Sequence, residues 1–538
     1  MSVSTSPLQE RFALAFPYGL NENQYPDIGE CSAGYNFELS PNQSALVSRK
    51  PVDLEGTATN AGEITGIMQL VKRTAAETTL VVAGTAVYQW GAGGDLSVFT
   101  SKGSVTAGGL QRDTYWSLDE FIVITDVNKI NVVGKWDGTT FAALTTGLAS
   151  ALYAKYAIVK DGRMWLFNIT YGTTALPHMI LVSAFENAQS YDTTQRSVSG
   201  TFATGLEAFY ILTPDLKPIN GATIFKNTLI VSTQGGSLFA LSGNAPNGTD
   251  PYRITTFNDG SPAIGNEAVA QIGNDVVFMR QGGRVNLLSA TQEFGDAQTD
   301  ELTKWIPNTV KDLTDAIVCY DKSTQKVYFF VANKVLVLFK DLLQMDRYHI
   351  LQNKSPWSVY TTQDPTRFNT KAVKYMRIPG TTNYRVFFGD SAGRVLELDG
   401  EQVGDSGAYN VDVSRTSAHL SPDFINPWPF TQKNINCRLV YRRIAEVECD
   451  ISLDWDDEYS TTESAIFLHG PATDAAYPPI YWGGAWYFGG NYYWNQGFTL
   501  IGRVAGINFS PGGKGPGCYL TVFLSTDQVF KIDKIEIE

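Results

Sequence analysis

The chain has 538 residues, 43% hydrophobic, 12% aromatic and only 18% charged, with a formal net charge of −13. That profile excludes a disordered chain, and the acidic balance excludes a nucleic-acid reader of the usual basic kind, because neutralising phosphates needs clustered Lys and Arg. The length calls for two or three domains, or one large repeat domain with additions.

Residues 1–65 read as an extended arm. Pro17, Pro26, Pro41 and Pro51 punctuate short apolar runs, and residues 45–51 have the composition of a strand that pairs elsewhere. The apolar run at 12–20 lacks a basic leader and is broken by Pro17, so it does not read as a signal peptide. No run in the chain approaches the roughly 18 to 20 apolar residues of a membrane-spanning helix. The five cysteines, Cys31, Cys319, Cys437, Cys449 and Cys518, are odd in number and far apart, which points to buried free thiols and synthesis in a reducing cytoplasm.

From about residue 66 to 405 one short pattern repeats. Two runs of β-branched and aromatic residues flank a turn of Gly, Asn or Asp, the signature of a β-hairpin, because those turn residues tolerate positive φ. Copies begin at Leu80, Ile122, Met164, Leu229, Val276, Val327 and Val386. In the last, Val386, Phe387 and Phe388 lead through Gly389, Asp390, Ser391, Ala392 and Gly393 into Val395, Leu396 and Leu398. The starts lie 42, 42, 65, 47, 51 and 59 residues apart. Units of roughly 40 to 50 residues with several short strands each predict a β-propeller of about seven blades, six to eight being compatible, with the longer intervals as loop insertions. First and last blades of a propeller are neighbours, so the arm and the C-terminal region are expected side by side.

Over 406–538 the rhythm changes. Val447, Cys449, Ile451, Leu453 and Trp455 alternate with Glu448, Asp450, Ser452 and Asp454, which predicts a half-buried strand. Residues 519–524 and 530–537 supply two more, and a β-sandwich-like domain is the expectation. The fold class is therefore all-β, and helix is confined to two short segments at 300–305 and 310–317.

Constellations that carry chemistry fail on context. Gly389, Asp390, Ser391, Ala392 and Gly393 have the form of a nucleophile elbow, but a strand follows where that motif needs a helix. His178, His349, His419 and His469 show no metal-ligand spacing, and no triad assembles around them. Asp454, Asp456, Asp457 and Glu458 offer hard carboxylate oxygens to calcium but lack the glycine and distant glutamate of an EF-hand loop, so an exposed acidic turn is expected. Gly235 and Gly236, or Gly282 and Gly283, precede no lysine and helix, and read as turns rather than phosphate loops. No catalytic residue, cofactor or metal is expected.

The least ordinary segment is 481–498. It packs Trp482, Trp486, Tyr487, Tyr492, Tyr493 and Trp494, with Phe488 and Phe498, among five glycines. Aromatics give large contact area with few torsions to freeze, so the segment reads as an interface or a constriction; a carbohydrate-stacking platform and a hairpin packed into its own domain are the rivals.

In the arm, Tyr18, Gly19, Leu20 and Asn21, then Pro26, then Gly34, Tyr35, Asn36 and Phe37, then Ser48 and Arg49 closing a short strand, resemble the opening of short-tailed bacteriophage tail tubular proteins, the nozzle or hub proteins below the portal and its adaptor. Gly19, Leu20, Asn21 and Arg49 carry the resemblance. The order of propeller hairpins and a later alternating β-domain is similar too, while Tyr18 stands where a second glycine is common, and Lys50 and Pro51 where proline and glycine often follow. The resemblance implies a virion protein made in a bacterial cytoplasm. It also implies a six-fold ring that prolongs the double-stranded DNA channel under the head-to-tail adaptor, retains the genome and docks tail fibres or spikes. An acidic wall suits such a conduit, because a basic lining would bind each passing phosphate. On this expectation, the 481–498 segment narrows the lumen. Two other classes stand beside it: a glycan-binding or glycan-cleaving propeller, which needs convergent carboxylates, and a cellular propeller scaffold, for which Trp136 and Asp137 form one isolated WD dipeptide.

Overall fold

The structure is a computed structural model. It describes residues 12–14, 18–23, 30–40, 43–59, 62–74, 76–191, 196–197, 204–246, 250–259, 265–280, 282–288, 301–311, 313, 315–343, 355–364 and 367–400, and the backbone of seven strands between 411 and 537. The fold is all-β, a seven-bladed propeller with further sheets built from the two ends of the chain. The chain divides into two compact units, one of Met1–Asp53, Leu336–Asp364 and Asp399–Glu538, the other of Leu54–Val335 and Pro365–Leu398.

The arm supplies β1 (Phe12–Leu14), β2 (Cys31–Tyr35), β3 (Phe37–Ser40), β4 (Gln43–Ser48) and β5 (Asp53–Thr57). The first sheet follows as β6 (Ile64–Val71), β7 (Glu77–Ala83), β8 (Ala86–Trp90) and β9 (Phe99–Ser104), and the second as β10 (Gln111–Trp116), β11 (Phe121–Asp126), β12 (Gly134–Trp136) and β13 (Phe141–Ala143). The third holds β14 (Leu152–Lys160), β15 (Arg163–Tyr171), β16 (Thr174–Val182), β17 (Arg196–Ser197) and β18 (Phe209–Leu212). The extra strand, β17, and the chain around it fall within the longest interval between hairpins. The fourth is β19 (Ile219–Phe225), β20 (Thr228–Thr233), β21 (Ser237–Ser242) and β22 (Arg253–Asp259); the fifth, among the described residues, is β23 (Val269–Ile272), β24 (Asp275–Met279) and β25 (Val285–Leu287). The sixth is β26 (Ile317–Asp321), β27 (Lys326–Val331), β28 (Lys334–Phe339) and β29 (Trp357–Tyr360). The seventh, β30 (Ala372–Arg377), β31 (Tyr384–Gly389) and β32 (Arg394–Leu398), takes β5 as its outer strand. The last blade is thus completed by residues that precede the first.

The seven hairpins seen in the sequence fall on the second and third strands of the seven sheets, and the first strands touch in a closed circuit, β6, β10, β14, β19, β23, β26, β30 and back to β6. The second strands are apolar at consecutive positions because both faces are covered, as in any sheet buried on two sides. In β11, Phe121 and Val123 join a core with Met164 and Leu166 of the third sheet, while Ile122 and Ile124 join Leu80 and Val82 of the first. In β15, Trp165 and Phe167 turn the other way, toward Leu229 and Val231 of the fourth. The fourth and fifth sheets share a core of the same kind, with Ile230 and Leu238 against Val276 and Phe278. At the seam, Val81, Ala83 and Trp90 of the first sheet pack with Met376, Phe387 and Val395 of the seventh.

The expected helices at 300–305 and 310–317 differ from what is found. Residues 302–305 form turns, the helix is α1 (Pro307–Val310), and Ile317 already pairs with Phe330 in the sixth sheet. Pro307, whose ring fixes φ and lacks the N–H a first turn leaves unused, starts the helix later than the apolar pattern suggested.

The C-terminal strands are β33 (Val411–Ser417), β34 (Ile435–Arg443), β35 (Val447–Trp455), β36 (Ser460–Leu468), β37 (Ile501–Phe509), β38 (Cys518–Thr526) and β39 (Phe530–Ile537). They form two sheets, in the orders β3-β4-β39-β34-β37, with β1 also on β39, and β2-β33-β38-β35-β36. Arm strands are members of both: Phe12 pairs with Ile537, Val47 with Lys531 and Tyr35 with Ser414.

Candidate functional site

Gly19, Leu20, Asn21 and Arg49 lie in one unit, packed along β29. Gly19 N donates to Ser355 O at 2.8 Å and Leu20 N to Trp357 O at 2.9 Å, so the arm runs beside the strand as an added chain. A Cβ on Gly19 would stand 2.1 Å from Trp357 O, which is why the position has none. Leu20 is buried, and its carbonyl accepts the Ser355 hydroxyl. Asn21 donates to Glu30 Oε2 at 2.6 Å while Glu30 Oε1 accepts Ser355 N at 2.7 Å, so one carboxylate ties the arm to the residues before β29.

Arg49 is 1% exposed. Its guanidinium donates to Asn36 Oδ1, Lys50 O and Thr361 O, each at 2.9 Å, and lies over the Tyr360 ring with 5.8 Å to the centroid. Asn36 sits at φ 59°, in the left-handed region that asparagine tolerates better than most residues. There it gives its N–H to Val359 O and accepts Thr361 N at 2.7 Å. A delocalised fork satisfied this fully is a splice between chain segments. The residues that carry the family resemblance therefore fix the arm in place.

The six aromatic candidates, Trp482, Trp486, Tyr487, Tyr492, Tyr493 and Trp494, lie outside the described residues, as do Asp456, Asp457 and Glu458. At the elbow-like motif, Ser391 is exposed at the turn joining β31 to β32. Asp390 is fully buried and accepts Ala392 N and Arg394 N, both at 2.9 Å, and Arg394 Nε at 2.5 Å. It organises a turn completed by Gly393 at φ 79°. Gly236, Gly282 and Gly283 also have positive φ, at 93°, 83° and 75°, as hairpin turns require. Cys31 and Cys319 are buried, and neither is in a disulfide. Among the described residues, no three of His, Cys, Asp and Glu are placed to hold a metal, and no helix is long and apolar enough to cross a membrane.

A charged cluster that the sequence did not announce lines the circuit of first strands. Arg112 of β10 donates to Gln111 O and Lys371 O at 2.7 Å and to Thr65 O at 3.2 Å, and forms an ion pair with Glu267 in the turn leading into β23. That pair reaches from the second sheet to the fifth. Lys374 of β30 pairs with Asp113 at 2.5 Å, in front of β6, whose Gln69 N donates to the same carboxylate at 3.2 Å. Lys129, just past β11, donates to Asn168 Oδ1 at 3.0 Å. Burial lowers the ammonium pKa of Lys129, and the nearby Lys155 lowers it further; burial lowers that of Lys155 too, against the pull of Glu267. At the other ends of the strands, burial raises the Glu77 carboxyl while Arg377, 3.2 Å away, pulls it down.

The fold defines the class: a seven-bladed β-propeller whose circuit of first strands is bridged by the Arg112–Glu267 ion pair. No family model and no curated protein matches the chain. Solved structures similar to it include Raptor from Chaetomium thermophilum, at 9% identity over 65% of this chain and 29% of that one, with a TM-score of 0.38. YCF48 from Cyanidioschyzon merolae is similar at 11% over 65% of this chain and 98% of that one, with a TM-score of 0.36. The WD40 domain of Toxoplasma gondii coronin is similar at 11% over 68% and 87%, with a TM-score of 0.34. The chain thus matches less than a third of the Raptor chain's length.

Proposed function

We propose that the chain is a structural, non-catalytic virion protein of a short-tailed bacteriophage, a subunit of the nozzle ring that continues the DNA channel below the portal and its adaptor and docks fibres or spikes. The observation that carries this reading is the arm. Gly19, Leu20, Asn21 and Arg49, the residues of the family-like opening, are committed to holding the arm against β29, and the strands between and before them enter two sheets with the C-terminal strands. Such an investment suits a part built to stay rigid under load rather than to turn over a substrate. In this reading the DNA path runs along the axis of a ring of copies, because the Arg112–Glu267 pair reaches across each propeller's own circuit of first strands, from the second sheet to the fifth. The net charge of −13 suits a wall along which a polyanion passes without sticking.

The test is the copy number of the chain in purified particles, by quantitative mass spectrometry against the major capsid protein. About six copies per particle are expected for a single cyclic ring. Absence from the particle would refute the proposal, and a screen against glycans would then test the enzymatic alternative.

A further inference from the structure

Where the first strands begin, the described residues include the cations Arg112, Lys129 and Lys155 and the carboxylates Glu267 and Asp126, the latter taken up by the N–H groups of Leu110, Asn128, Ile130 and Asn131. Their hydrogen bonds are unevenly distributed. Arg112 is the most fully engaged, with three carbonyls accepting from its terminal N–H groups and the Glu267 carboxylate paired with its Nε. Lys129 uses one of its three N–H groups, on Asn168. Lys155, on β14 and only part-exposed, makes no hydrogen bond or ion pair among the described residues. Its one opposite charge, Glu267, is already engaged by Arg112. Lys155 stands opposite Asn168, between the β14–β15 pairs Ala154–Ile169 and Tyr156–Phe167, and Asn168 holds the Lys129 ammonium, so lysines of the second and third blades converge there. Half-buried positive charge left this way is costly unless an anion joins it.

We propose that this cluster binds a small polyvalent oxyanion of the phosphate class. Two compact ammonium groups with five N–H donors between them suit the spread oxygens of a tetrahedral anion. The planar fork that would grip a carboxylate in two-point fashion is already occupied. The Arg112–Glu267 pair reaches from the second sheet to the fifth across the circuit of first strands, so the site takes a small ion and does not thread a polymer. This site stands apart from the tail proposal: a ligand at one blade junction needs neither a ring nor a particle.

The experiment is isothermal titration of the full chain with inorganic phosphate and with pyrophosphate at constant ionic strength. Saturable binding at one site per chain is expected, tighter for pyrophosphate. Lys155→Met keeps the length of the side chain and removes its charge; it should weaken binding by about tenfold to a hundredfold, the range for a lost charge-assisted hydrogen bond. Glu267→Gln removes the competing carboxylate and should tighten binding several-fold. Without ligand, Lys155→Met should melt no lower than the parent chain, and phosphate should no longer raise its melting temperature. Heats that never saturate, or an affinity indifferent to Lys155→Met, would overturn the site. Should that variant fail to fold, Lys129→Gln and Glu267→Gln decide, and unchanged affinity in both overturns it.

Discussion

Closure of the propeller can be weighed at its seam by replacing Phe387 with alanine. Phe387 is fully buried between the seventh and first sheets, its ring edge-on to Trp90 with centroids 5.4 Å apart and planes at 74°. A buried Phe→Ala change costs about 3–5 kcal/mol, of which the ring pair contributes about 0.5–1.5 kcal/mol beyond its area. Domains of ordinary stability hold only about 5–15 kcal/mol in total. With a urea dependence near the upper end for small proteins, about 3 kcal/mol/M, because the slope grows with chain size, the midpoint should fall by about 1–2 M. Tryptophan fluorescence reads the transition, and a double-mutant cycle with Trp90→Leu isolates the ring pair. The control is Phe209→Ala, a buried ring that packs on Trp165 at 5.9 Å and Tyr252 at 5.6 Å between the third and fourth blades, and it should cost the same. A cost for Phe387→Ala below about 1 kcal/mol, with Phe209→Ala costing its full share, would refute closure of the ring at this seam. Melting of the last sheet alone, in a separate early transition, would refute it as well.

Gly19→Ala must push the Trp357 backbone aside and break the bonds to Ser355 O and Trp357 O, a loss of about 2 kcal/mol that limited proteolysis should register as cleavage in the arm. Arg49→Lys replaces a three-acceptor fork with a point charge and should cost about 3 kcal/mol, read as a lower melting temperature that mild denaturant amplifies. Asp390→Ala frees two turn N–H groups and Arg394, costing about 2–3 kcal/mol by urea unfolding and leaving the neighbouring cores intact. Burial pushes the Cys319 thiol up to about 12 from 9.0, so the folded chain keeps a proton that the unfolded chain releases. Stability from this group is full below about pH 9 and declines toward pH 12. Tyr191 and Tyr252, also raised by burial, add to the alkaline slope; Cys319→Ala should flatten it in a series of melts from pH 8 to pH 11.

The hairpins were legible because the second strand of each blade is covered on both sides, which leaves an unbroken apolar run such as Phe121 to Ile124. First and fourth strands were not, since they carry mixed side chains: Gln111, Arg112, Asp113 and Thr114 in β10, and Thr100, Ser101 and Lys102 in β9. The family-like residues of the arm could be picked out, but their work could not, because the partners of Arg49 and Asn36 lie more than three hundred residues away at Thr361. The tunnel cluster had no local signature at all. Arg112, Lys155, Glu267 and Lys374 are each an ordinary polar residue at the head of a strand, and only the circuit of first strands brings them together.

The strand that completes the seventh sheet, β5, leaves the ribosome before any blade exists, while its partner β32 is made about 340 residues later. Six blades can therefore stack in order as they are synthesised, each covering the apolar face of the one before, but the circle joins only at the end. Bringing ends that far apart together costs about 5 kcal/mol of chain entropy by the logarithmic loop law. Until then, the faces that become the seam, Val81 and Trp90 on one side and Phe387 on the other, are uncovered. Chaperone demand and aggregation should concentrate in that interval, and refolding from denaturant should show a slow final phase that Phe387→Ala retards and Phe209→Ala leaves largely alone.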